Sequence, residues 1–269
     1  MLPFIKRLTL ALCLTFTALP ALAEDSSPLR GLLTGDDSKG WEGVGRLDIG
    51  PHSFCTGALI AEDLVLTAGH CLFEKNGGRA YHADEIQFLA GWRNGRAEAY
   101  RGARQVVVHP DYLADMENRA VDLALIQLDR PIRNTTILPY ETGNRGLLQR
   151  QVGVVSYALD REDRPSVQDL CHVLGEVKDA LVLDCNVDFG SSGAPVFDLS
   201  SGTPRIISVV SAKAMAGDKK VSLGTDLVGP LSDMRALMAE TDGVFTRARP
   251  LVQNGTGSGG STGAKFVRP

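Results

Sequence analysis

Aromatic side chains are scarce in this 269-residue sequence, at 6% with only two Trp. A core of stacked rings is therefore excluded, and Val, Leu and Ile must fill the interior. Basic residues are not in excess: 28 Lys and Arg stand against 32 Asp and Glu, a formal charge of −4. Without a basic face, nucleic acid is excluded as a partner class. Long apolar runs are absent. The longest candidate, residues 8–18, spans 11 positions, too few to cross a bilayer comfortably. Five cysteines occur with no Cys-x-x-Cys pair, so a structural zinc site lacks its ligand spacing.

The short apolar run has a different reading. Lys6 and Arg7 precede it, Pro20 breaks it, and Ala21-Leu22-Ala23 closes it with a small-x-small cleavage pattern. Residues 1–23 therefore read as an export signal, cut after Ala23. A retained anchor is the alternative, but no stop-transfer segment follows. The mature chain is expected in the periplasm or outside the cell, monomeric and without stable membrane insertion. Cleavage removes two basic residues and leaves 26 against 32 acidic ones, a net of −6. It also removes Cys13, leaving Cys55, Cys71, Cys171 and Cys185. An even count in an exported chain implies two disulfides. Three connectivities are open, with Cys55–Cys71 and Cys171–Cys185 the expected pairs. Each would close a loop of about 15 residues, about 3 kcal/mol in the loop-entropy model.

Residues 24–40 are polar and read as a flexible lead-in or short propeptide; a cut after Arg30 is one conceivable processing site. From Trp41 onward, short apolar segments alternate with Gly, Pro, Asp and Asn. They include 44–49, 54–60, 64–68, 105–108, 123–128, 152–157, 181–183, 194–197 and 205–211. This spacing favours an all-β barrel or sandwich. One helix is expected at 230–239, with Pro230 at its entry and Leu231, Met234, Leu237 and Met238 on one face. The domain is expected over 41–249, followed by a disordered Gly/Ser-rich tail at 250–269. Asn134 and Asn254 each begin a glycosylation acceptor pattern, which is common by chance.

Three short segments carry chemistry. Leu66-Thr67-Ala68-Gly69-His70-Cys71 places a histidine after an apolar strand and beside a cysteine. Val121-Asp122-Leu123-Ala124-Leu125 takes a carboxylate into an apolar strand, where it must be paired. Gly190-Ser191-Ser192-Gly193-Ala194-Pro195 sets two serines in a tight turn. A serine hydroxyl needs an adjacent imidazole to take its proton, and the imidazole needs a carboxylate to fix its tautomer. His70 is thus the candidate base, Asp122 its orienter and Ser192 the nucleophile, in an order the α/β-hydrolases do not use. Asp111 and Asp115 compete with Asp122 but lie in a polar stretch expected at the surface. Ser191 competes with Ser192. The N–H groups of Gly190 and Ser192 are the candidate oxyanion hole.

These segments, together with Phe54-Cys55-Thr56-Gly57-Ala58-Leu59-Ile60, resemble the trypsin/chymotrypsin family. Val44-Gly45-Arg46-Leu47 and Gly190–Pro195 resemble its bacterial secreted branch, which includes the glutamyl endopeptidases. The resemblance implies two six-stranded antiparallel β-barrels, an active site in the cleft between them and a C-terminal helix. It also implies a peptide or protein substrate, an acyl-enzyme intermediate, and no metal or organic cofactor. Asn186, Ser211 and Lys213 fall where the family builds its specificity pocket. The chain departs from the family's animal members at Ser191, where they carry Asp. No Ile-Val-Gly-Gly-like start lies near residues 30–45, so activation by a new N-terminus is not expected. The segment 206–211 has no pocket histidine. Two other readings compete: a catalytically silent binding protein on the same fold, and an esterase, disfavoured because Ala194 breaks the Gly-x-Ser-x-Gly elbow around Ser192.

Overall fold

The computed structural model describes residues 25–75, 78–146 and 150–240. The expected export signal and C-terminal tail lie outside them. After a two-residue strand β1 (Arg30–Gly31), the chain builds β2 (Val44–Ile49), β3 (Ser53–Ala61), β4 (Leu64–Thr67), β5 (Ile86–Ala90), β6 (Ala99–Val108) and β7 (Ala124–Leu128). Strands β2 to β7 close into an antiparallel barrel in the order β2-β3-β4-β7-β6-β5. A short helix α1 (Pro110–Ala114) precedes β7. The second half builds β8 (Glu141–Thr142), β9 (Gln151–Ser156), β10 (Ser166–Val177), β11 (Ala180–Leu183), β12 (Pro195–Asp198), β13 (Arg205–Ala216) and β14 (Lys219–Asp226). Its six long strands run β10-β11-β14-β13-β12-β9, and pairing of β9 with β10 closes the ring. The fold is the expected pair of six-stranded antiparallel barrels.

Composition explains the cores. Leu47, Leu59, Leu66, Leu125 and Ile126 are fully buried in the first barrel, where β4 and β7 are buried at every position. The few rings are used at chosen places: Phe88 in the first barrel, and Phe197 with Tyr140 and Trp41 at the junction, centroids 4.9 and 5.2 Å away. The second barrel has its own smaller cluster, including Val152, Val154, Leu183, Val196, Ile207 and Val210. The disulfide Cys171–Cys185 (Cα–Cα 5.1 Å) belongs to that cluster, and Cys55–Cys71 (6.3 Å) to the first. Both pairs are the expected ones.

Each barrel is tied down by a segment from the far end of the other. Helix α2 (Pro230–Glu240) follows the second barrel but packs on β6 and β7 of the first. Its Leu231, Met234 and Met238 are buried and Leu237 half-buried, the face its periodicity predicts. Conversely, residues 26–32 precede the first barrel and lie on the second. β1 pairs antiparallel with β10, Arg30 opposite Val167, and Leu32 is fully buried. The stretch expected as a loose lead-in is thus docked over these residues.

Strands β5, β10 and β14 were not among the expected segments. β10 reads Ser-Val-Gln-Asp-Leu-Cys-His-Val-Leu-Gly-Glu-Val, and its last four residues are exposed. β14 begins Lys219-Lys220 and contains Gly224. Both carry polar residues because they form long hairpin arms reaching beyond the core. Among the described residues no helix is long and apolar enough to cross a membrane.

Candidate active site

His70 stands on a 3-10 turn, Gly69–Leu72, that begins just after β4. Asp122 caps a second 3-10 turn, Arg119–Val121, whose entry is closed by Asn118 accepting from the Ala120 N–H at 3.2 Å. The Asp122 side chain is fully buried, so its charge must be answered locally. His70 supplies two contacts: Nδ1 lies 2.7 Å from Oδ2, and the backbone N–H donates to Oδ1 at 2.8 Å. The Ser211 hydroxyl donates to Oδ2 at 2.5 Å, and Arg119 Nη1 lies 3.5 Å from the same oxygen. Burial alone pushes this carboxyl upward. The His70 charge, with hydrogen bonds from His70 and Ser211, outweighs it and holds Asp122 below the ordinary carboxylate range. With Nδ1 engaged by a carboxylate, the ring's tautomer is set and Nε2 is left for another partner. Asp111 and Asp115 are exposed, as expected.

The serine turn is held from the other barrel. Thr56, fully buried on β3, donates its N–H to the Ser192 carbonyl and its hydroxyl to the Gly190 carbonyl, both at 2.8 Å. Its Oγ1 accepts from the Tyr157 N–H at 3.1 Å. Thr56 follows Cys55, and Cys71 follows His70. The Cys55–Cys71 bridge therefore fastens the segment bearing the histidine to the segment gripping the serine turn. Ser191 is fully buried, with its Oγ 3.0 Å from the Tyr157 carbonyl and 3.1 Å from Ser156 Oγ. A hydroxyl so engaged has a structural task. Ser192 is only half-buried, and its side chain has no hydrogen-bond partner among the described residues.

Two glycines make the turn possible. Gly193 has φ +78°, and a Cβ there would sit 2.1 Å from Thr67 Oγ1 and 2.3 Å from the Thr56 carbonyl. Gly190 has φ +95°, and a Cβ would strike the Phe54 ring at 2.4 Å. The Phe189 carbonyl accepts from the Leu159 N–H at 2.8 Å. In a trans peptide the following N–H points the opposite way, so Gly190 turns its N–H away from Leu159. The N–H groups of Gly190 and Ser192 donate to no acceptor among the described residues.

The remaining expected residues fall around this turn. Ser211 is buried against Asp122. Lys213 is exposed on the same strand; its Nζ lies 2.7 Å from Asp188 Oδ1 and 3.7 Å from the centre of the Phe189 ring. Asp188 is held below the ordinary carboxylate range by Lys213 and by the Phe189 N–H. The Lys213 charge is thus already matched. Asn186 is exposed, its N–H donating to Gln168 Oε1 at 2.7 Å. Cys55, His70 and Cys71 bring ligand-type atoms within 4.8 Å of one another, but both sulfurs are in the disulfide and offer no thiolate.

Sequence reasoning missed the roles of Thr56 and Arg119. For Thr56 a signal existed: a polar residue within an apolar strand must find a buried partner. Arg119 gave only its position, three residues before Asp122.

The trypsin family model matches residues 36–225. Among curated proteins, the chain is 33% identical over 93 residues to the modular serine protease of Drosophila melanogaster, covering 32% of this chain and 15% of that one. It is 30% identical over 132 residues to the lectizyme of Glossina austeni, covering 45% and 44%. The chain spans under half the length of these relatives. Solved structures show the same fold. A glutamyl endopeptidase superposes with a TM-score of 0.65 at 17% identity, over 80% of this chain and 98% of that one. The protease Anisep of Arthrobacter nicotinovorans gives 0.61 at 17% identity, over 79% and 100%. The family match takes in more than half of the sequence, including both barrels' candidate residues His70, Asp122 and Ser192: the chain belongs to the trypsin family.

Proposed function

We propose that the protein is an exported serine endopeptidase that cleaves peptide bonds through Ser192, His70 and Asp122. Ser192 Oγ attacks the scissile carbonyl carbon while His70 Nε2 takes the hydroxyl proton. Asp122 stabilises the imidazolium that results. The tetrahedral oxygen accepts from the N–H groups of Gly190 and Ser192. Collapse expels the amine, which receives the proton from His70, and leaves an acyl group on Ser192. Water, deprotonated by His70, then releases the acid and restores the hydroxyl.

The observation that carries this reading is the buried Asp122 carboxylate 2.7 Å from His70 Nδ1. Burying a carboxylate so completely is costly unless it is paired, and here the pair also orients the imidazole. The engagement of Ser191 with Tyr157 supports Ser192 as the nucleophile. The two disulfides and the residue pattern at 1–23 support export, with maturation after Ala23. Ser192→Ala tests the reading. It is expected to abolish peptide cleavage and the acylation burst with an activated ester, while circular dichroism stays unchanged. Peptide cleavage retained by Ser192→Ala would refute it.

A further inference from the structure

A chain of half-buried hydrogen bonds leads from the N-terminal arm, residues 26–32, into the segment that precedes the serine turn. The Ser26 hydroxyl donates to Asp184 Oδ2 at 2.8 Å and lies 3.1 Å from His172 Nδ1. Asp184 is held in turn by the His172 N–H at 2.5 Å. Ser27 is bound on both sides of Leu170: its N–H donates to the Leu170 carbonyl at 2.8 Å, and its Oγ accepts from the Leu170 N–H at 2.9 Å. The link is completed by Gln168, whose side chain is buried. Nε2 donates to the Ser27 carbonyl at 2.8 Å, and Oε1 accepts from the Asn186 N–H at 2.7 Å. Cys185, between the two contacted residues, is bonded to Cys171 on β10. Three successive residues, Asp184, Cys185 and Asn186, are therefore each fixed to β10 or to the arm lying on it.

This segment ends six residues before Ser192 and runs directly into Asp188 and Phe189, which meet Lys213 across the site. The residue before Ser192 is Ser191 and not a carboxylate that could receive a new N-terminus, and its hydroxyl is turned inward onto the Tyr157 carbonyl. The ordering that a charged N-terminus would supply has another source here. We infer that the intact arm is a positioning element for the substrate-binding wall, acting through Gln168 on Asn186, and that cutting after Arg30 weakens substrate binding. Gln168 touches no reacting atom; it is a positioning residue. This inference rests on the protease reading above, and Arg30–Gly31 works as a strand of the mature fold.

The test uses the full chain with Gln168→Met, which keeps the side-chain length and removes both hydrogen bonds, and a second variant lacking residues 25–30. In Gln168→Met the KM for a peptide substrate is expected to rise about tenfold, the order of effect expected when a positioning contact slackens. Labelling of Ser192 by a small fluorophosphonate is expected to stay within about threefold, because the reacting groups are untouched. Hydrogen exchange at the Asn186 amide is expected to speed up in both variants. A synthetic peptide of residues 25–32 added to the deletion variant is expected to slow it again and to lower KM. Wild-type KM and wild-type Asn186 exchange in Gln168→Met would overturn the inference, whether or not the deletion variant folds. Loss of labelling in parallel with the KM change would also overturn it, since the arm would then serve the fold as a whole. A wild-type protein that neither cleaves nor labels would refute the protease reading instead, and Asn186 exchange would still decide the arm's grip.

Discussion

His70 and Asp122 stand beside strands β4 and β7 of the first barrel, whose every residue is buried, whereas Gly190–Ala194 lies in an irregular stretch between β11 and β12 of the second. The base and its orienter sit in the packing of their own barrel, with the Ser211 hydroxyl of the second barrel donating to Asp122. The serine turn is held by named groups around it: Thr56 on the first barrel, the Leu159 N–H, the Val210 backbone on β13, and the Asp184–Asn186 segment tied to β10 and the arm. The comparison teaches where precision comes from in each half. A close-packed aliphatic core positions the first pair, which the Ser211 hydroxyl and the Cys55–Cys71 bridge then secure. The serine turn, in an irregular stretch, is fixed by named hydrogen bonds, with a second disulfide on the segment before it.

The largest effect tests the base and its orienter. Asp122→Asn leaves the shape intact but gives His70 the wrong partner, and turnover is expected to fall about four orders of magnitude. Steady-state kinetics, with circular dichroism showing the variant folded at the assay temperature, separate chemistry from folding. Gly193→Ala attacks the seam between the halves. A Cβ would strike Thr67 and the Thr56 carbonyl at a positive φ, and about 3 kcal/mol of stability or more is expected to go, read by urea unfolding.

The two disulfides sharpen the comparison further. Each closes a loop of similar length, with separations of 16 and 14 residues, and the loop-entropy model assigns each about 3 kcal/mol. Unequal losses on replacing each pair by serines would expose the difference in the cores. The second barrel, with the smaller cluster, is expected to lose more, as measured by Tm. Thr56→Val removes the donor to Gly190 and leaves the Tyr157 N–H without its acceptor, at about 1–3 kcal/mol. Its signature is a lower kcat with His70 unaffected, seen as an unchanged histidine NMR resonance.

The smallest effect concerns acid. Asp122 is held below its ordinary range in the folded chain, so the unfolded chain binds its proton first. The stability it contributes is complete above the ordinary carboxylate range and is lost as pH falls through the lowered folded value. Acid unfolding of Asp122→Asn is expected to be less steep there; an identical pH profile would contradict the sign.

Legibility in the sequence cut across the two barrels: β9, β11, β12 and β13 of the second stand out as apolar segments, whereas β5 of the first does not. In the first barrel β3, β4 and β7 stand out because they are largely apolar. The chemistry-bearing residues stand out because Asp122 interrupts an apolar strand and glycines flank the serines. β10 and β14 were hidden because their polar tips extend past the core. The docking of residues 26–32 was hidden for another reason. Its polar Ser26 and Ser27 find partners 140 or more positions away, on β10 and beside it. Local composition reads such residues as a loose lead-in, since it holds no trace of contacts so distant.

The most direct test of the account treats the folded protein and its Ser192→Ala variant with a fluorophosphonate, with the adduct mapped by mass spectrometry. A single adduct on Ser192, absent from the variant, is the predicted result. A folded wild-type protein without an adduct, or with one on Ser191 instead, would contradict it.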